Sequence, residues 1–184
     1  MDGYWANPLT FLVSTAFSLY ILAVMLRMLL GAVRADFYNP VSQFLVKITS
    51  PLLRPLRRVL PPVGPVDTAA ITLLLVLQMT AVALQVWIRG GAFSWPVLVV
   101  FSVGQLVALV FNIYIFAILI QAILSWVNPG TYNPVTSLLY SLTEPVLGPI
   151  RRFLPPISGI DLSPLVALVG LQVIKMLVTP LFGA

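Results

Sequence analysis

Residues 38–67 read YNPVSQFLVKITSPLLRPLRRVLPPVGPVD, and residues 132–161 read YNPVTSLLYSLTEPVLGPIRRFLPPISGID. Laid over each other at an offset of 94 positions, with no gap, they match Tyr38-Asn39-Pro40 to Tyr132-Asn133-Pro134, Pro51 to Pro145 and Pro55 to Pro149. Arg57-Arg58 then falls on Arg151-Arg152, Leu60-Pro61-Pro62 on Leu154-Pro155-Pro156, and Asp67 on Asp161. The same offset carries Gln78 onto Gln172. Chance does not sustain such a register, so the chain is a tandem duplication.

Each copy has a mechanical reading. Asn39 is a good helix N-cap and Pro40 suits the first helical position. Val41, Phe44, Leu45 and Ile48 then fall on one helical face, with Ser42, Gln43 and Lys47 opposite. Asn133, Pro134, Val135, Leu138, Leu139 and Leu142 repeat the pattern. Proline removes a backbone donor and clashes with the preceding turn, so Pro51 and Pro145 are expected to stop these helices. The reading is a short amphipathic helix lying in the membrane interface, followed by an extended Pro/Arg-rich segment that dips beneath the headgroups and holds its Arg pair at phosphate level.

Outward from these connectors the chain is apolar. Of 184 residues, 60% are hydrophobic and 8% charged, against about 25% charged in an ordinary soluble domain. A bilayer core needs about 20 apolar residues per helix. Four stretches qualify: Leu9 to Val33, Thr68 to Ile88, Phe93 to Val127 and Leu162 to Phe182. The third is too long for one upright helix, and Pro96 and Gly104 suggest a tilted or broken start, leaving a span of about 97–127. The expected fold is an all-α membrane protein of four transmembrane helices in two parallel tandem repeats. Residues 1–89 form the first, with interfacial segment 39–62, and residues 90–184 the second, with segment 133–156.

Arg34, Lys47, Arg54, Arg57 and Arg58 lie between the first two spans, and Arg151 and Arg152 between the last two; the opposite side offers Arg89. The positive-inside rule places both long loops in the cytoplasm and both termini outside. The formal charge of +5 thus reads as orientation signal and contact with anionic headgroups, and no nucleic acid is expected as partner. Asp2 precedes the first span without a basic stretch, so that span is expected to stay in the mature protein.

The chain has no Cys and no His. This removes thiolate nucleophiles, Ser-His triads, His proton shuttles and the common zinc sites. We expect no catalytic residue, no cofactor and no metal site.

Two copies of Asn-Pro, an amphipathic stretch, Pro-x-x-x-Pro-x-Arg-Arg, Leu-Pro-Pro and an Asp opening the next span resemble the YggT family over nearly the whole chain. The resemblance implies a multi-pass protein of the bacterial inner membrane, with relatives linked to osmotic stress tolerance and ion homeostasis. Single-repeat relatives of the YlmG type are associated with the cell-division gene neighbourhood. Plastid relatives are associated with assembly of membrane cytochrome complexes or nucleoid organisation. Arg54 stands where the second copy has Gly148, and Gly64 where it has Ser158, so the halves are not interchangeable.

The candidate site residues carry paired readings. Arg54, Arg57, Arg58, Arg151 and Arg152 read as anchors reaching lipid phosphates, or as a paired guanidinium site for an anionic lipid or a partner's carboxylate. Asp67 and Asp161 read as helix caps paired with nearby Arg, or as a cation site facing across the repeat axis at a pore mouth. Gln78, Gln172, Gln121 and Asn112 read as interhelical hydrogen-bonding groups, or as the lining of a polar path. Arg27 and Lys175 lie within spans, Arg27 reaching for the cytoplasmic interface and Lys175, about 21 Å along its helix from Asp161, for the outer side. Their counterparts are Gln121 and Ala81, which speaks against a duplicated mechanism using them.

Two functions follow. One is support of osmotic or ionic homeostasis, by conduction through an oligomer, since four spans with few polar residues make a poor pore in one protomer. The other is a non-transporting scaffold or assembly factor for membrane complexes, holding anionic lipid and partner proteins.

Overall fold

The computed structural model describes residues 6–64, 66–127, 133–154 and 161–183. Tyr132, Pro155, Pro156 and Ser158 of the repeat motif lie outside the described residues. The elements are helices α1 (Ala6–Ala32), α2 (Pro40–Val59), α3 (Thr68–Ile88), α4 (Trp95–Val127), α5 (Pro134–Phe153) and α6 (Ser163–Val178), with a closing 3₁₀ turn at Thr179–Phe182. Four helical stretches, Asn7–Ala32, Thr68–Ile88, Trp95–Ser125 and Ser163–Phe182, are long and apolar enough to cross a membrane.

The connectors differ from the sequence expectation. Rather than stopping at the first proline, α2 and α5 each run for 20 residues through two prolines, Pro51 and Pro55 or Pro145 and Pro149. The reason is spacing. Four residues apart, the prolines share one helical face. That face is exposed in both helices, while Ser42, Leu45, Thr49 and Leu53 form an unbroken buried stripe opposite, as do Leu142, Thr143 and Leu147 in α5. The carbonyls that lose a donor, four residues back, belong to exposed Lys47 and Pro51. Packing on the unbroken stripe holds the helix together across the gap.

The third span is likewise unbroken: α4 is one helix of 33 residues, and Pro96 sits in its first turn, where no backbone donor is needed. At 1.5 Å per residue α4 is about 50 Å long, well beyond a ~30 Å hydrocarbon core. Its start carries Phe93 and Trp95 edge to face, ring centres 5.6 Å apart.

The end of α1 faces the start of α3 across one cavity. The end of α3 faces the start of α4 across a second, and the end of α4 faces the start of α6 across a third. The spans therefore alternate in direction, α1 and α4 run the same way, and the repeats are parallel.

They do not close into a ring. The spans pack in the order α1, α3, α4, α6, and α1 does not touch α6. The contact of α3 with α4 thus has no counterpart between α6 and α1, which makes the union of the repeats heterologous. The larger core joins Val24, Leu53, Leu74, Ile113 and Leu142 from five helices; a smaller one joins Ile118, Leu147 and Ala167 in the second repeat. The span of α1 is 28% buried and that of α6 only 11%. Lipid is as apolar as a leucine core, so packing and polar contacts between the helices carry much of the association.

Candidate functional site: a polar crevice in each repeat

The site is built where α2 crosses the end of α1. Thr49 is fully buried on the inner face of α2, and its hydroxyl donates to the Leu45 carbonyl at 2.6 Å. This back-bond leaves its lone pairs free to accept. Arg27, on α1, fills that vacancy: Nη1 donates to Thr49 Oγ1 at 2.7 Å, to Ser50 Oγ at 3.2 Å and to the Val46 carbonyl at 3.4 Å. Arg27 therefore turns onto α2. Tyr20, lower on α1, donates to the Ile48 carbonyl at 3.3 Å.

The far wall comes from the α2–α3 junction. Val63 and Val66 exchange backbone hydrogen bonds of 3.1 Å, and Gly64 takes the positive φ of 60° that this reversal requires. The chain returns so that Asp67 caps α3: Oδ1 accepts from the Ala70 N–H at 3.1 Å and Oδ2 pairs with Arg57 Nη2. Arg27, Met28, Gly31, Phe37, Arg57 and Asp67 then line a cavity of about 560 Å³.

The second repeat builds the same crevice. Gln121, Ala122, Ser125, Tyr140, Arg151 and Asp161 line a cavity of about 470 Å³, and shifted back by 94 positions they fall on Arg27, Met28, Gly31, Val46, Arg57 and Asp67. Thr143 bonds back to the Leu139 carbonyl at 2.8 Å and also hydrogen-bonds Gln121 Oε1. Arg27 and Gln121 thus each hold the buried threonine of their own amphipathic helix, Arg27 as donor and Gln121 as acceptor. The position is therefore duplicated although the charge is not.

Asp161 departs from its counterpart. The N-cap of α6 is Leu162, without a side-chain cap, and Asp161 instead accepts from the Ser163 N–H at 2.9 Å and from Arg151 Nε at 3.0 Å. Partial burial pushes its pKa up, but hydrogen bonds from Ser163 and Arg151, with the guanidinium charge, outweigh this and hold the carboxyl below its usual range. Arg151 also reaches Glu144 at 2.9 Å.

The Arg pairs split. Neighbouring helical residues point about 100° apart, so Arg57 and Arg151 turn to their carboxylates while Arg58 and Arg152 are exposed. No guanidinium fork forms within a pair. Arg54, also exposed, lines a separate shallow cavity with Lys47. Asp67 and Asp161 line different crevices, each with an Arg of its own repeat, and do not form one shared site.

The remaining candidates lie elsewhere. Asn112 accepts from Lys175 Nζ at 2.6 Å, an α4–α6 contact within the spans. Gln78 and Gln172 are half-buried in α3 and α6 and line neither crevice. Asn39 and Asn133 cap α2 and α5, with Pro40 and Pro134 opening the helices, and Asn133 forms a reciprocal capping box with Thr136. Sequence reasoning missed Thr49 and Thr143. The signal was present: they are identical residues at the same offset.

The profile of the CCB3/YggT family matches residues 6–88 and again 100–182. A protein of Pseudomonas aeruginosa is 43% identical over 171 residues, covering 91% of this chain and 86% of its own. YggT of Escherichia coli is 39% identical over 171 residues, covering 92% and 88%. A chloroplastic YlmG homologue of Arabidopsis thaliana is 35% identical over 61 residues, 33% of this chain and 24% of its own. No solved structure matches.

Proposed function

The chain belongs to the CCB3/YggT family, and from that membership and its crevices we propose that it is a non-transporting scaffold of the bacterial inner membrane. In this reading the amphipathic helices α2 and α5 lie at the cytoplasmic face, both termini lie outside, and exposed Arg54, Arg58 and Arg152 meet anionic lipid or acidic segments of partner membrane proteins. The role includes no catalytic step and no cofactor.

The observation that carries it is the neutralisation of the duplicated carboxylates. Asp67 is held by Arg57 and Asp161 by Arg151, each within its own repeat. A cation site at a pore mouth needs carboxylates free to replace water around the ion. The open row of spans adds to this, because it encloses no axis for an ion to follow.

Support of osmotic or ionic homeostasis by conduction draws on one observation, the half-buried Gln78 and Gln172 at matched positions of α3 and α6. A path past both would have to be completed by a further copy of the chain. Potassium and sodium flux into proteoliposomes separates the readings, with Asp67→Asn/Asp161→Asn and Gln78→Leu/Gln172→Leu as controls. We expect flux equal to empty liposomes at every protein density. A flux abolished by either double substitution overturns the scaffold and establishes conduction.

A further inference from the structure

The crevices are equivalent in place and opposite in charge. In the first, Arg27, Ser50, Arg57 and Asp67 come together. The same positions in the second hold Gln121, Glu144, Arg151 and Asp161. Two cations face one carboxylate in the first; one cation faces two carboxylates in the second. Two exchanges, Arg27 for Gln121 and Ser50 for Glu144, invert the sign. Arg54, where the second repeat has Gly148, deepens the contrast.

The positive crevice is not internally satisfied. Arg151 touches two carboxylates and Arg57 one, but Arg27 touches none among the described residues. Its hydrogen bonds run through Nη1 to three neutral oxygens, whereas a guanidinium has five N–H donors. A partly buried cation that makes no ion pair of its own is costly, the crevice's one carboxylate, Asp67, being paired with Arg57, and this cation opens onto a cavity of about 560 Å³. The wall carries Met28, Phe37 and Ile71 beside the two guanidinia. That pairs an apolar surface with forked donors suited to tetrahedral oxyanions.

We propose that the first-repeat crevice binds a phosphate group between Arg27 and Arg57, while the second, whose Arg151 is already held by Glu144 and Asp161, does not. The proposal names the ligand chemistry of the scaffold proposed above, and it rests on that reading in taking the crevice to hold its ligand in place. An anionic phospholipid headgroup and a free phosphate share this chemistry, and the experiment tells them apart.

The full chain, purified in a non-ionic detergent, is examined by native mass spectrometry with added phosphatidylglycerol, phosphatidylcholine or inorganic phosphate. The expected result is one tightly retained ligand of net negative charge, phosphatidylglycerol or inorganic phosphate in preference to zwitterionic phosphatidylcholine, weakened about tenfold in Arg27→Gln/Ser50→Glu, the change that copies the second crevice into the first. The reciprocal Gln121→Arg/Glu144→Ser variant is expected to gain a second bound ligand, a readout that misfolding cannot mimic. Retention of phosphatidylglycerol uncompeted by inorganic phosphate identifies the lipid; displacement by inorganic phosphate identifies the free anion, and both support the site. Equal retention of phosphatidylcholine and phosphatidylglycerol with no binding of phosphate, or stoichiometry unmoved by both variants, overturns it. Ion flux measured on the same preparations keeps the two ideas apart. Flux with the ligand bound overturns the scaffold alone, and absence of both flux and ligand overturns the anion site alone.

Discussion

Asn39 Nδ2 donates to the carbonyl of Pro134 at 2.6 Å, joining the first turn of one amphipathic helix to the first turn of the other. The same side chain caps its own helix, its oxygen accepting from the Val41 N–H at 2.9 Å. Asn133 caps α5 through the Thr136 N–H in a capping box, but the bond between repeats runs from Asn39. The heterologous union of the two copies is therefore visible at a single residue.

Asn39→Ala should destabilise the protein more than Asn133→Ala. Loss of a cap costs about 1 kcal/mol, and loss of the bond between repeats adds about 1 kcal/mol with the Pro134 carbonyl left unpartnered. Reversible unfolding in detergent checks this. Equal losses for the two variants would mean that the Asn39–Pro134 bond contributes nothing.

Thr49→Val and Thr143→Val keep shape and remove the hydroxyl that accepts from Arg27 in the first repeat and donates to Gln121 in the second. A hydrogen bond to a charged group contributes about 1.5–3 kcal/mol and one between neutral groups about 1. The first variant should therefore unfold at the lower temperature. The fall should shrink when Thr49→Val is combined with Arg27→Met, since the cation is then gone as well.

Asp161 predicts a pH dependence. Its folded pKa lies below the ordinary value of 3.8, with burial opposing and the Ser163 and Arg151 hydrogen bonds prevailing. A depressed carboxylate adds stability that is fully present above its unfolded pKa and is lost as pH falls through the folded one. Wild type should lose stability on acidification below about pH 4, and Asp161→Asn should show a shallower loss across that window. Parallel acid limbs for the two proteins, followed by thermal unfolding, would sink the assignment.

Pro51→Ala and Pro55→Ala test the unbroken α2. Because the backbone is already helical there, Ala restores a donor and relieves a clash that costs up to about 3 kcal/mol in a helix interior. Each variant should raise the unfolding temperature without changing helical content. Were residues after Pro51 extended, the substitution would instead add helix, visible by circular dichroism.

Much of this protein was legible without the structure, for a physical reason in each case. The spans follow from apolar length against bilayer thickness, the duplication from a gapless register, and the parallel repeats from two spans per unit. The starts of α2 and α5 follow from Asn39-Pro40 and Asn133-Pro134, because capping is settled by residues within one turn.

What only the tertiary structure decided depends on which helix comes to lie against which. Pro51 and Pro145 signal a helix end, and locally they disfavour helix; the stripe through Thr49 and Leu53, or Thr143 and Leu147, overrides them only because α1 and the neighbouring helices are there to bury it. Arg57-Arg58 reads as a pair, yet helical geometry sends the first to Asp67 and the second outward. Arg27 reads as an isolated charge near a span end. It becomes half of a duplicated contact only when α2 folds back and sets Thr49 beside it, and Gln121 becomes its counterpart by the same fold in the other repeat. Spacing along the chain determines what a segment can become; the partner of a buried polar group is chosen by packing, over separations that no local pattern spans.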